Sequence, residues 1–107
     1  MSIVLTETYV VKSESAERFT PLLSEFLAYK REHANLFAGL KSWKLYKQEI
    51  GRPGGLYIEM WEFESLAAME EINARVFGDV VMKGIQEAFH RLVEPATFTS
   101  AVWRPVA

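Results

Sequence analysis

A carboxylate lies among aromatic residues in the stretch LYIEMWEF, residues 56 to 63. We predict a β-strand here. Because successive side chains of a strand point to opposite faces, the face that holds Glu59 also holds Tyr57, Trp61 and Phe63. A carboxylate on an apolar face is costly unless it forms an ion pair, takes up a proton or is hydrated. Glu59 is therefore half of a structural ion pair or a hydrated group, or else a general base or ligand anchor whose pKa is raised by an apolar pocket.

Two further residues are candidates for proton chemistry. Glu7 has the same alternation on the first predicted strand, and if that strand neighbours the third, repulsion between Glu7 and Glu59 raises one of the two pKa values. His33 follows Tyr29 by four positions and Phe26 by seven, so it is expected along the apolar stripe of the first helix, facing the pocket. A histidine titrates near neutral pH. The candidate catalytic residues are thus Glu59 and His33, with a structural boundary histidine as the alternative for His33.

Four aromatic residues of the first and third strands complete the candidate site: Tyr9, Tyr57, Trp61 and Phe63. Core packing is the usual role of such a group. The alternative is a wall for a flat hydrophobic ligand such as a polyketide or quinone. Together with Glu7, these four residues are the candidate ligand-binding residues.

The sequence predicts neither a metal site nor a cofactor. It contains no cysteine, which excludes disulfides, thiolate metal ligands and a cysteine nucleophile. The two histidines, His33 and His90, do not have the spacing of metal ligands, and His90 is predicted on the polar, hydrated side of the third helix.

Length and charge restrict the function classes further. The chain has 107 residues, which suits one domain spanning residues 1–107. Its net charge of −2 argues against binding to nucleic acids or membrane surfaces, since both need a basic footprint. The start, MSIVLTETYVV, alternates like a strand and lacks the basic region of a signal peptide. No apolar run approaches the roughly 20 residues that cross a bilayer, so a cytoplasmic location is expected.

The hydrophobic periodicity predicts four strands and three helices. The strands are 3–12, 40–50, 56–63 and 96–103, and the helices are 13–37, 64–77 and 80–93. Residues 51–55, GRPGG, form the turn of a hairpin. Ser65 and Asp79 are predicted caps of the second and third helices. Pro21 indicates either a first helix that starts at Ser15 and bends, which we prefer, or a main helix capped by Thr20.

This element order, β-α-β-β-α-α-β, predicts an α+β fold of the split β-α-β, ferredoxin-like type. Three helices then cover one face of a four-stranded antiparallel sheet. The second face also carries apolar residues on its expected central strands. A monomer would expose them as a large patch, and such patches usually mark an interface. We therefore expect a homodimer in which two sheets pack face to face.

Three short motifs resemble those of NIPSNAP-like proteins. They are TYVVK at 8–12, MWEFESL at 60–66 and VWRPV at 102–106. These proteins belong to the dimeric α/β-barrel superfamily, together with the antibiotic-biosynthesis monooxygenase-like proteins. The resemblance covers nearly the whole chain and implies two sheets paired into a barrel, with a pocket between each sheet and its own helices. It also implies that the face of the third strand that holds Glu59 turns toward those helices.

The chain matches the family pattern at some positions and departs from it at others. Tyr9, Lys12, Trp61, Ser65 and Leu66 match it, and Phe63 stands for an aromatic Tyr. By contrast, a basic residue is usual where Glu7 stands, and a histidine where Glu59 stands. In related haem-degrading enzymes, a histidine on the helix after the third strand ligates the haem. This chain has no histidine on that helix, so haem is not expected.

The sequence thus predicts a small cytosolic homodimer that binds, and in the enzymatic case transforms, a small hydrophobic molecule between sheet and helices. As an enzyme it would be a cofactor-free oxygenase or isomerase in which Glu59 or His33 takes a proton. The alternative is a non-catalytic binding or structural protein whose core is filled by its own side chains. Cavity volume separates the two, because ligand sites measure about 300–1,000 Å³.

Overall fold

A computed structural model describes residues 2–107 of the chain. Its strands are β1 (Ile3–Tyr9), β2 (Leu40–Lys47), β3 (Tyr57–Phe63) and β4 (Thr99–Trp103), and its helices are α1 (Ala16–Glu32), α2 (Leu66–Gly78) and α3 (Val80–Leu92). Short 3₁₀ turns at Ser13–Ser15, Ala34–Phe37 and Pro95–Thr97 connect them. The predicted element order is confirmed.

The four strands form one antiparallel sheet in the order β2-β3-β1-β4. This is the split β-α-β arrangement expected from the sequence, with β1 and β3 as the central pair. Their register places Glu7 directly opposite Glu59 and Tyr9 opposite Tyr57. Between β2 and β3, Trp43 lies opposite Trp61. The register therefore brings the two carboxylates onto neighbouring strands, on the same face.

Both predicted helix caps are present. The Ser65 hydroxyl accepts a hydrogen bond from the Ala68 N–H at 3.1 Å, and the Asp79 carboxylate accepts one from the Met82 N–H at 3.1 Å. Each cap satisfies a backbone donor that the first helical turn leaves free. α2 and α3 are thus separated by a single residue, Asp79, and both pack on the same side of the sheet.

Several element ends differ from the prediction. β1 stops at Tyr9 because the next residues pair with the end of α3 and the residues after it: Lys12 N–H donates to the Leu92 carbonyl at 2.8 Å, and Glu94 N–H donates to the Val10 carbonyl at 2.9 Å. β2 stops at Lys47 because the Gln48 N–H and side chain both bond to Leu56 across the hairpin loop.

The first helix also differs from its prediction at both ends. α1 starts at Ala16 and runs through Pro21, so a separate main helix capped by Thr20 is excluded. Ser15 lies at its N-cap position without capping it, and its buried hydroxyl accepts a hydrogen bond from Arg18 instead. The helix ends at Glu32, and the 3₁₀ turn that follows brings Phe37 into the core.

Most of the core lies between the sheet and the helices, in two clusters. One centres on Phe26, Trp61, Phe63 and Met82. The other is built from Tyr9, Phe19, Leu92 and Val93. These clusters lie side by side under α1 and α3, and the candidate site lies where they meet.

The opposite face of the sheet is not covered by any element of residues 2–107. A shallow groove of about 490 Å³ on this face has Val4, Ile58, Met60 and Trp103 among its lining residues. Trp103 is 59 % exposed, and its indole N–H donates to the Thr6 hydroxyl at 2.6 Å. We call this the outer face. Within residues 2–107 there is no helix with the length and apolarity needed to span a bilayer.

Candidate functional site

Glu59 is held by three hydrogen-bond donors from three strands. The Tyr9 hydroxyl of β1 donates to Oε2 at 2.8 Å. The indole N–H of Trp61, two residues away on the same face of β3, donates to Oε1 at 3.1 Å. The indole N–H of Trp43 on β2 donates to the same oxygen at 3.3 Å. Because an indole N–H can only donate, this arrangement is built for a carboxylate that accepts.

The ionisation of this group is governed by opposing effects. Burial raises the pKa of Glu59, while the hydrogen bonds from Tyr9, Trp43 and Trp61 and the charge of nearby His90 lower it in part. Burial and the neighbouring Glu59 raise the pKa of Tyr9 far above its ordinary value. Tyr9 therefore remains a phenol at neutral pH and acts as the donor in its bond to Glu59.

Of the alternatives that the sequence left open for Glu59, the structure does not show the ion pair. Among residues 2–107, neither salt bridge of the structure involves Glu59: they join Lys41 with Glu64 and Arg75 with Glu71, both near the surface. The three uncharged donors take the place that a lysine or arginine would occupy. They satisfy the oxygens of Glu59 by hydrogen bonding and bring no opposite charge to the cavity.

Glu7 lies opposite Glu59 but has a different environment. Within the described part of the chain, its carboxyl group has no hydrogen bond or salt bridge to another residue. Burial, together with the charge of Glu59, raises the pKa of Glu7 from 4.5 to about 7. The prediction that one of the two carboxyls has a raised pKa thus has a structural basis, and Glu7 is the carboxyl that exchanges a proton near neutral pH.

Both carboxyls line a cavity of about 80 Å³ between the sheet and the helices. α1 contributes Phe19, Leu22, Leu23 and Phe26, and α3 contributes Met82, Ile85, Gln86, Phe89 and His90; the sheet supplies Tyr9, Trp43 and Trp61, and α2 supplies Phe77. His90 is the solvent-exposed member of this lining, which puts the cavity mouth beside α3. The walls are largely aromatic and aliphatic.

The cavity volume matches neither alternative drawn from the sequence, a site for a drug-sized ligand or a filled core. About 80 Å³ is well below the roughly 300–1,000 Å³ of sites that hold drug-sized molecules. A polyketide or quinone does not fit the cavity in this conformation. The core is also not completely filled, because the space exceeds what a single water molecule needs, about 30 Å³.

The placement of the two histidines is the reverse of the expectation. His33 is exposed beyond the end of α1, where its ring stacks on Tyr29 at 4.0 Å and its Nδ1 lies 3.2 Å from the Tyr29 carbonyl oxygen. It does not line the cavity. His90, expected to be hydrated on the polar side of α3, lies at the mouth and packs edge-on against Phe89 and Phe98. The assignment of His33 to the pocket is therefore wrong.

The predicted ligand-binding residues divide into two groups. Glu7, Tyr9 and Trp61 line the cavity as expected. Phe63 is completely buried in the core, so it cannot contact a ligand without unpacking. Tyr57 lies beside the cavity, where its ring stacks on Tyr9 with centroids 5.9 Å apart. For these last two residues, packing is the role that the structure shows.

Trp43, Gln86 and Phe77 were not predicted as site residues. Trp43 is the most important of them, because its indole is one of the three donors to Glu59. Alternation along β2 puts Trp43 on the face opposite Lys44, but only the register, which sets Trp43 opposite Trp61, brings it to the carboxylate. Gln86 and Phe77 enter through helix packing, for which the sequence carries no local signal.

Among the described residues, no group of three His, Cys, Asp or Glu side chains is placed to hold a metal ion. The chemistry available is proton transfer: Glu7 can take or release a proton near pH 7, next to a fixed acceptor and inside a mostly apolar space.

Comparisons with known proteins confirm the fold. No family model matches the sequence, and neither does any curated protein sequence. Among solved structures, a NIPSNAP family protein from Agrobacterium tumefaciens strain C58 aligns with a TM-score of 0.76 and 20% identity, over 98% of this chain and 86% of that one. A candidate antibiotic biosynthesis monooxygenase from Caulobacter crescentus aligns with a TM-score of 0.73 and 15% identity, over 99% and 91%.

An uncharacterised NIPSNAP-like domain protein from Burkholderia xenovorans is also similar, with a TM-score of 0.67 and 15% identity, over 99% of this chain and 86% of that one. At these identities the similarity shows the fold alone. The resemblance drawn from the three sequence motifs is confirmed at that level: the chain has the ferredoxin-like α+β fold of NIPSNAP family proteins and candidate antibiotic biosynthesis monooxygenases.

Proposed function

We propose that the chain binds a small, mostly apolar molecule in the cavity between sheet and helices, with Glu7 as the group that meets it. One observation carries the proposal. Glu7 is a half-buried carboxyl without a protein partner among residues 2–107, and it lines a space whose other carboxylate, Glu59, is already satisfied by three donors. An unpartnered acceptor in an otherwise apolar cavity is a typical anchor for a ligand.

The arrangement also supports catalysis of one kind, which is proton abstraction without a cofactor. A general base works best when its pKa is close to the operating pH, and the pKa of Glu7 is raised to about 7 by burial and by Glu59. Removing a proton from a substrate is the first step expected of a cofactor-free isomerase or oxygenase. The candidate monooxygenase from Caulobacter crescentus shares the fold, which is consistent with this class of reaction.

Homodimerisation across the outer face is the second part of the proposal. Ile58, Met60, Val4 and Trp103 form the apolar part of this face, and no element of residues 2–107 covers it. A second copy of the sheet would bury these side chains. Its hydrophobic contribution would be about 25 cal/mol for each Å² of apolar surface removed from water.

The rival function is a non-catalytic structural protein whose cavity has no ligand. The small cavity volume of about 80 Å³ favours this alternative. What opposes it is Glu7: a carboxyl group that is half-buried, without a partner among residues 2–107 and next to a second carboxyl group costs stability unless it is protonated, hydrated or met by a ligand.

The test uses the three tryptophans as reporters. Trp43 and Trp61 have their indole N–H groups at the site, whereas the indole of Trp103 lies on the outer face. A library of compounds with three to eight heavy atoms is titrated into ¹⁵N-labelled protein while the three indole signals are followed by NMR. We expect saturable shifts of Trp43 and Trp61 without a change at Trp103.

Two results distinguish the proposal from its rival. Glu7→Gln should weaken the binding of compounds that shift the site tryptophans, while Glu14→Gln, at an exposed position before α1, should not. A ligand that carries an exchangeable C–H should also acquire deuterium in D₂O in a Glu7-dependent manner if the site is catalytic. A library in which no compound shifts Trp43 or Trp61 saturably would favour the structural protein.

A further inference from the structure

The charged groups at the cavity are unbalanced. Its lining, taken over the described residues, contains two glutamates, one histidine at the mouth, and neither lysine nor arginine. The remaining polar groups of the sheet side are already used: the Tyr9 hydroxyl and the Trp43 and Trp61 indoles all donate to Glu59. An anionic ligand would therefore meet negative charge without a cationic partner.

The two glutamates are not equivalent as contacts for a ligand. Glu59 already accepts three hydrogen bonds. Glu7 accepts none from residues 2–107, so it is the acceptor that a donor on a ligand can reach. A charged donor forms a shorter and stronger hydrogen bond with a carboxylate than a neutral donor does.

The walls of the cavity suit a cation as well. Phe89 packs edge-on against Tyr9 with ring centroids 4.8 Å apart, and Trp43 and Trp61 meet at 77° with centroids 6.2 Å apart. Aromatic faces carry negative partial charge and attract ammonium groups within about 6 Å of the ring centroid. A carboxylate combined with rings of several orientations is thus complementary to an alkylammonium ion rather than to a neutral alkyl group alone.

Size restricts the ligand further. A cavity of about 80 Å³ holds two to three groups of the size of a water molecule, at roughly 30 Å³ each. A short primary amine has this size. A longer one would have to extend past His90 into solvent.

From the unpartnered Glu7, the aromatic walls and the volume, we infer that the cavity takes a small organic cation, namely a protonated primary amine with a short alkyl group. Its ammonium group lies against Glu7 and its alkyl group against the rings. This inference rests on the proposed binding function and specifies the class of its ligand.

Three probes of nearly equal size and different charge test the inference: ethylammonium, ethanol and formate. Each is titrated at pH 8, where Glu7 is ionised, and the indole signals of Trp43, Trp61 and Trp103 are followed by NMR. We expect ethylammonium to saturate the shifts of the two site tryptophans at a concentration at least about tenfold lower than ethanol does, as a charge-assisted hydrogen bond implies. Formate should give no saturable shift, and Trp103 should not respond to any probe.

The variant Glu7→Gln keeps the size of the side chain and removes its charge. It should abolish the preference for ethylammonium over ethanol, while Glu14→Gln retains it. Ethanol that binds as tightly as ethylammonium in the wild type would overturn the inference and leave the proposed binding function standing. The same holds if Glu7→Gln leaves the preference for ethylammonium unchanged. No saturable shift with any of the three probes, together with a library that gives no ligand, would overturn both.

Discussion

Glu7 and Glu59 lie directly opposite each other on the central strands of the sheet, yet only Glu59 is hydrogen-bonded by other side chains of residues 2–107. Glu59 accepts hydrogen bonds from Tyr9, Trp43 and Trp61. Glu7 accepts none from residues 2–107, and its pKa is raised to about 7 by burial and by the charge of Glu59. Glu59 is thus held by the protein, whereas the carboxyl group of Glu7 is free to exchange a proton or to meet a ligand.

The raised pKa of Glu7 has a consequence for stability. Between the ordinary pKa of 4.5 and the folded value of about 7, the folded chain holds the Glu7 proton more tightly than the unfolded chain does. The free energy of unfolding therefore falls as pH rises through this range. The contribution is fully present below pH 4.5 and is lost as pH rises through 7. The difference of about 2.5 between the pKa values corresponds to at most about 3 kcal/mol.

Glu7→Gln should remove this dependence. Since Gln carries no ionisable proton, the variant should be as stable as the wild type at pH 4 to 5 and more stable at pH 8, by up to about 3 kcal/mol. Urea denaturation of both proteins across this pH range measures the difference. Glu14→Gln serves as the exposed control. Parallel pH profiles for Glu7→Gln and wild type would show that Glu7 has an ordinary pKa.

Glu59 should tolerate Gln but not Leu. The amide oxygen of Gln can accept from both indoles, and its NH₂ group can donate to the Tyr9 oxygen. Leu leaves three donors without an acceptor, and each unsatisfied donor costs about 1–3 kcal/mol when buried. We therefore expect Glu59→Leu to lower the free energy of unfolding by about 3 kcal/mol or more, and Glu59→Gln by about 1 kcal/mol or less.

Thermal and urea unfolding of the two Glu59 variants at pH 7 check this expectation. Equal stabilities of the Leu and Gln variants would mean that the three hydrogen bonds do not hold the site together. A large loss in Glu59→Gln alone would point instead to an ionic partner, one of the alternatives that the sequence left open.

His90 should control access to the cavity, and His33 should not. The His90 ring packs against Phe89 and Phe98 at the mouth, with centroids 5.4 and 5.5 Å away. Removing it opens the site to water. We expect His90→Ala to accelerate the hydrogen exchange of the Trp61 indole N–H several-fold, and His33→Ala to leave it unchanged, as NMR exchange rates can show. An equal effect of both variants would count against the mouth being at α3.

The proposed dimer can be tested on the outer face. Met60 lies near its centre, paired with Thr6 on β1 and Lys44 on β2. A stable face-to-face dimer buries at least about 1,200 Å² in total, and a lysine at position 60 would place a charge inside that area. We expect sedimentation to show dimers for the wild type and monomers for Met60→Lys. Val80→Lys, on the 83 % exposed side chain at the start of α3, should stay dimeric.

A compact monomer of the wild-type chain at micromolar concentration would contradict the dimer. It would leave the outer face, with Trp103 exposed, as the surface of a monomer. The cavity lies on the other side of the sheet, between the sheet and the helices, so this result would not bear on it.

Much of the fold was predictable because its signals are local. Alternation along the strands identified the face that holds Glu59, and the caps at Ser65 and Asp79 marked where two helices begin. The hairpin followed from its glycines, of which Gly55 has a φ of +78°. These features depend on residues close in sequence, so a single chain is enough to recognise them.

The parts that were missed depend on contacts between distant segments. Trp43 reaches Glu59 only through the register between β2 and β3. His33 lies on the apolar stripe if α1 continues, but the helix ends at Glu32 and the ring stacks on Tyr29 instead. His90 reaches the cavity because its neighbour Phe89 packs against Tyr9 of β1, which no pattern within α3 reveals.

The separation of roles between Glu7 and Glu59 is tested most directly by the titration of their carboxyl carbons. ¹³C NMR of the side-chain carboxyl groups between pH 3 and 9, with the signal of Glu7 assigned by its loss in Glu7→Gln, gives both midpoints. We expect a midpoint near 7 for Glu7, in line with its raised pKa, and a separate titration for Glu59. A Glu7 midpoint near its ordinary value of 4.5 would contradict the assignment of Glu7 as the carboxyl that exchanges a proton at neutral pH.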